Sequence, residues 1–172
     1  LSLGVAAAGS LSGAPGSIEF SPISPLTMII FVLVVGEEIG WRGYALPKLL
    51  ESHSAVTASV IVGVLWGAWH LPTFFIAGTP QAGIPFLAFL LFTTGASVLF
   101  TWLYRNTQGS LLIATLFHGA INSFGFVNTA LDPSTRWWVT GTVYIVAALI
   151  VSVVTGLNLR RRPTAQVEIA SV

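Results

Sequence analysis

The chain has 172 residues, of which 54% are hydrophobic and only 8% charged, with a mean hydropathy of +0.85 and a formal net charge of +1. A soluble domain carries about 25% charged residues, so this composition cannot clothe a water-facing surface and predicts an integral membrane protein. The low net charge argues against a nucleic-acid partner, and the lack of cysteine excludes disulfides, thiolate nucleophiles and Cys-ligated metal.

Residues 1–24 are rich in Ala, Gly, Ser and Pro. They lack the positive n-region and sustained apolar run of a signal peptide, and read as a flexible or partial N-terminal segment. Five apolar stretches follow, at 26–50, 55–77, 84–104, 110–130 and 137–159. Each reaches about 20 residues or slightly more, enough to cross a hydrocarbon core about 30 Å thick. The separators are short and turn-like, among them Arg105-Asn106-Thr107-Gln108-Gly109 and Asp132-Pro133-Ser134-Thr135, which makes successive helices antiparallel neighbours. The predicted fold is all-α, a polytopic transmembrane helix bundle of about five spans forming one domain over 25–159. A basic tail, 160–172, opens with Arg160-Arg161-Arg162. Positive residues favour the cytoplasmic side. Alternating helices bring Arg105 and Lys48 to that side too, so a cytoplasmic C-terminus is expected. Arg-rich, Lys-poor usage leans towards a bacterial cytoplasmic membrane.

Polar clusters interrupt three of the spans. A charged residue at mid-bilayer costs roughly 2.5–3.5 kcal/mol on insertion scales and usually faces a bundle interior. In the first span Glu38 and Arg42 stand at i, i+4 and can pair on one face, while Glu37 points about 100° away and needs a partner from another helix or from water. Gly36, Gly40 and Gly43 at that level predict close approach of neighbouring helices. In the second span His70 follows Trp66 by one turn, and Pro72 predicts a bend near the imidazole. In the fourth, His118 and Asn122 share a face at i, i+4. Each cluster alone has a packing explanation: an internal ion pair, a core histidine, a hydrogen-bonded pair. Together they lie roughly 13–22 Å from the cytoplasmic end at 1.5 Å per residue, within one layer near mid-membrane. A carboxylate, two imidazoles, an amide and a guanidinium at one depth suffice for hydrolysis.

Glu37-Glu38-x-x-x-Arg42, an aromatic residue four positions before His70, and His118-x-x-x-Asn122 occur in this order on separate helices. They resemble the CAAX prenyl protease and bacteriocin-processing family, also called Abi, in its prokaryotic branch. The surrounding text, Glu-Glu-Ile-Gly-Trp-Arg-Gly-Tyr, Trp-His-Leu-Pro and Phe-His-Gly-Ala-Ile-Asn, strengthens the likeness, which covers about 25–126. The resemblance implies an intramembrane glutamate endopeptidase that needs no metal or other cofactor. Glu37 would be the general base for a water held jointly with His70. His118 and Asn122 would donate hydrogen bonds to the oxyanion, Glu38 and Arg42 would orient the site, and Trp66 would wall it. The substrate would be a peptide or protein, lipidated or membrane-associated. Two departures stand out. Trp66 occupies a position where the family usually has Phe, implying a reshaped pocket. The family has about eight spans, so N-terminal helices of a longer fold are expected to precede the five read here.

Other readings of the residues stay open. Glu37, His70 and His118 could ligate zinc with water in the fourth position, although no His-Glu-x-x-His occurs. A non-catalytic immunity or scaffolding protein could keep the same polar core for binding. A serine protease is disfavoured because Ser97, Ser110 and Ser123 lack a Gly-x-Ser-x-Gly context. A proton-coupled transporter is disfavoured by the short loops and the lack of internal repeats.

Overall fold

The computed structural model describes residues 25–123 and 131–160, and every regular element among them is helical. The segment 1–24, the last part of the fourth apolar stretch (124–130) and the tail from Arg161 onward lie outside the described residues.

A first rod runs unbroken through α1 (Pro25–Glu38), a π-helical segment (Ile39–Ala45) and α2 (Leu46–Leu50). Ser54 caps α3 (Ala55–Trp69), its hydroxyl accepting the Thr57 N–H at 3.2 Å. Pro72 cannot donate to a carbonyl one turn back, so α3 stops at Trp69 and the chain tightens after His70 into a 3₁₀ turn (Leu71–Phe75). The bend expected at the imidazole is therefore present. Next come α4 (Phe86–Asn106), α5 (Leu111–Ser123) and α6 (Pro133–Thr155).

The last helix starts four residues before its sequence-based boundary. Asp132, read as part of a separator, is its N-cap: the carboxylate accepts the Thr135 N–H at 3.0 Å and Pro133 takes the first helical position. At the far end Gly156, with φ +75°, stops the helix at Thr155 rather than at 159.

Three helical stretches are long and apolar enough to cross a membrane by length and composition: Ala55–Phe75, Phe86–Asn106 and Pro133–Thr155. The expected first span differs because Glu37, Glu38, Arg42 and Lys48 interrupt it. The fourth differs because its described helix has 13 residues. Five helical rods are thus present among the described residues, and three of them qualify as spans by themselves.

The centre of the bundle is α4, packed between α3 and α6. Close approach depends on particular glycines. A methyl group at Gly63 would sit 2.5 Å from Cα of Thr94, and one at Gly95 would sit 2.6 Å from the Tyr144 carbonyl carbon. The glycines singled out in the first rod act differently. Gly36 and Gly40 have nothing within 4 Å, and only Gly43 meets a neighbour, a Leu111 methyl at 3.3 Å. That rod packs instead through Leu46, buried against Ala58 and Val62, and through the buried Glu38 and Arg42.

Two interior hydroxyls are satisfied locally, as a water-poor setting favours: Ser59 donates to the Ala55 carbonyl at 2.6 Å and Thr101 to the Ser97 carbonyl at 2.9 Å, whereas the equally buried Ser97 hydroxyl has no partner among the described residues. On α6, Val143, Val146, Leu149, Ile150, Val153 and Val154 all face outward. Apolar side chains outside and charged ones inside are the mark of a helical membrane bundle.

Candidate active site

The end of α1 and the π-helical segment present the acidic motif. The Leu46 N–H bonds the Trp41 carbonyl, five residues back, so the helix is widened where Arg42 turns inward. Such π turns occur frequently at functional sites. Glu38 and Arg42 are both completely buried, and Arg42 Nη1 donates to Glu38 Oε1 at 3.0 Å. The expected ion pair is present.

The same Glu38 oxygen lies 2.7 Å from Nδ1 of His118, on α5 and 80 residues away in sequence. An ionised carboxylate only accepts, so Nδ1–H of His118 donates and its Nε2 is left for other work. Beneath this pair the Arg42 guanidinium stacks 3.8 Å over the Phe100 ring and 5.0 Å from the Trp66 ring centre. Planar, weakly hydrated guanidinium suits such an aromatic bed. Glu38 Oε2 and Arg42 Nε and Nη2 are buried without hydrogen-bond partners among the described residues.

Glu37 finds its partner on α3. Trp66 Nε1 donates to Glu37 Oε2 at 2.7 Å. The main-chain carbonyl of Trp66 takes the Nδ1 hydrogen of His70 at 2.9 Å. A carbonyl only accepts, which puts the proton of a neutral His70 on Nδ1 and leaves Nε2 as the basic nitrogen. The His70 ring is gripped edge-on by Trp69 and Phe89, with both centroid distances 5.2 Å. The His118 ring stands 5.3 Å from the Trp66 ring, and the His70 ring 6.1 Å from it.

Glu37, His70 and His118, together with Glu38 and Arg42, are thus gathered around Trp66. Glu37 and His70 are not bonded to each other; each is held by Trp66. Asn122 is exposed one turn beyond His118, and no hydrogen bond ties it to the buried cluster among the described residues. Sequence reasoning treated Trp66 as a wall and missed its N–H donation, paired Glu38 with Arg42 but not with His118, and missed Phe100 altogether. Spacing could reveal only the Glu38–Arg42 pairing, because of these it alone lies within one rod. Among the described residues no three His, Asp or Glu side chains form a group that could hold a metal ion.

Fold and site together define an integral membrane helical protein with a carboxylate–imidazole core built from three rods. The chain belongs to the family expected from its motifs: the model for Rce1-like type II CAAX prenyl endopeptidases matches residues 19–124. It is 31% identical over 152 residues to CAAX prenyl protease 2 of Methanococcus maripaludis, covering 83% of this chain and 56% of that relative. The chain therefore spans about half the length of the curated relative it matches.

Proposed function

We propose that this chain carries the catalytic centre of an intramembrane endopeptidase that uses Glu37 as general base and needs no metal. The observation that supports this reading is the convergence of Glu37, His70 and His118 on Trp66. Glu37 takes a proton from a water shared with Nε2 of His70, and the oxygen attacks the scissile carbonyl carbon. His118 and Asn122 donate to the oxyanion. Collapse breaks the C–N bond, and the proton held by Glu37 goes to the leaving nitrogen. Fixed donors in a water-poor site stabilise developing charge more than water does.

For His118 to reach the oxyanion from Nε2 while Nδ1 stays on Glu38, the ring must carry both protons. Glu37, Glu38, Arg42 and that imidazolium then sum to zero, the arrangement a low-dielectric interior tolerates best.

The name of the relative, CAAX prenyl protease 2, points to a prenylated C-terminal peptide as substrate class. Ile39 and Trp69, exposed beside the site, offer a lipid group an apolar surface. The gathering of Lys48, Arg105 and Arg160 at one end of the bundle supports a cytoplasmic C-terminus.

The decisive experiment is cleavage of a prenylated reporter peptide by purified full-length protein in vesicles. Glu37→Gln is expected to lower kcat by about 10²–10⁴ with an unchanged melting temperature, and EDTA is expected to leave the rate unchanged. A Glu37→Gln protein that cleaves at the wild-type rate, or activity abolished by EDTA and restored by zinc, would overturn the reading.

A further inference from the structure

At the end of the bundle about 20 Å along the first rod from Glu37 lies a second polar feature. It is a cleft of about 410 Å³ lined by Leu50, Tyr104, Arg105, Gln108, Gly109 and Arg160. Its walls are tied together. Asn106 Nδ2 donates to the Leu159 carbonyl at 2.8 Å and the Val56 N–H to the Leu157 carbonyl at 3.0 Å, which brings Arg160 from beyond α6 to the side of Arg105. Gln108 and Gly109, at φ +55° and +76°, fold the chain back at the end of α4. Gly109 lies so close under the Tyr104 ring that a methyl group would meet it at 3.2 Å.

The lining contains two guanidiniums and no carboxylate. Glu51, the acid at this end among the described residues, is taken by Lys48 at 2.9 Å. Arg105 Nε is buried with no hydrogen-bond partner among the described residues. The two cations are near enough to repel one another. The negative end of the α4 dipole accounts for Arg105 but not for Arg160, which follows α6 outside any helix. A tetrahedral oxyanion would relieve the repulsion and supply acceptors to both forks, the geometry arginine matches best. Leu50 and the Tyr104 ring add apolar walls at the level where three apolar spans end, where basic pockets meet lipid headgroups.

We propose that Arg105 and Arg160 form a phosphate-group site, filled in the membrane by the headgroup of an anionic phospholipid. The site is independent of the proteolytic reading and of Glu37.

Native mass spectrometry of the full-length protein with added phosphatidylglycerol or phosphatidylcholine tests it, with inorganic phosphate as a separate thermal-shift arm. Arg161 and Arg162 stay in place in every variant, so the general positive charge of the tail is kept. Wild-type protein is expected to retain phosphatidylglycerol over phosphatidylcholine. Arg105→Gln and Arg160→Gln should each weaken that retention by about tenfold, with Arg105→Lys intermediate. Stabilisation by inorganic phosphate that needs both arginines, without lipid preference, would keep the site and assign it to a soluble phosphate. Arg160 is exposed, so Arg160→Gln remains informative if Arg105→Gln fails to fold. Equal lipid retention by wild type and Arg160→Gln, with no arginine-dependent phosphate effect, would overturn the proposal.

Discussion

The indole of Trp66 donates to Oε2 of Glu37 at 2.7 Å, across 29 residues of sequence. Because the carbonyl of the same tryptophan holds His70 at 2.9 Å, one residue sets the position of two groups on different helices. A phenylalanine there could keep the wall and the His70 bond, but it could not hold the carboxylate.

Trp66→Phe is therefore expected to lower kcat for peptide cleavage by about tenfold or more while leaving KM nearly unchanged. A hydrogen bond to a charged group is worth about 1.5–3 kcal/mol, and losing it lets Glu37 leave its productive position. Steady-state kinetics on the reporter peptide measure the split. An unchanged kcat would show that the indole N–H has no positioning role.

Glu38 is a different case, since it serves two partners from the interior. Glu38→Gln deprives the buried Arg42 guanidinium of its hydrogen-bonded counter-ion, and breaking a buried pair typically costs about 3–5 kcal/mol. The double variant Glu38→Gln/Arg42→Met should recover part of that loss, because the two residues are directly paired. Thermal denaturation of the single and double variants in the same detergent measures the coupling. Strict additivity would mean that the ion pair is not a stabilising unit.

Asn122 separates catalysis from folding. It is exposed at the end of α5, so Asn122→Ala should leave the melting temperature unchanged. Loss of an oxyanion donor commonly lowers kcat by about 10²–10³. Full activity in Asn122→Ala would remove this residue from the proposed mechanism.

Glycine substitutions test the packing. A methyl group at Gly95 meets the Tyr144 backbone at 2.6 Å, where no flexible side chain can give way, so Gly95→Ala should cost about 1–3 kcal/mol. At Gly36 the space is open, and Gly36→Ala should be neutral or stabilising by up to about 1 kcal/mol through helix propensity. Paired melting curves decide the point. The reverse order would place the close helix contacts elsewhere.

Local relationships were the legible ones. Glu38 and Arg42 are four residues apart within one rod, so helical geometry alone brought them together, and the π-helical segment did not undo it. Pro72 ended α3 because a missing N–H is a property of the residue itself. The start of α6 was legible too, but Asp132 and Pro133 were read as a turn when they are the cap and first position of a helix. The glycines of the first rod misled for another reason. A small residue permits close approach but does not compel it, and here Gly63 and Gly95 mediate the contact instead.

Composition and spacing by themselves determined the membrane class and the helical rods. These follow from the rise per residue and from the cost of charge in hydrocarbon, neither of which needs a neighbour. Only the tertiary structure decided which carboxylate meets which partner: Glu37 with Trp66, and Glu38 with both Arg42 and His118. Helical periodicity fixes a side chain's direction only relative to its own axis. The rotation of one rod against the next is set by glycine contacts and aromatic packing between segments far apart in sequence.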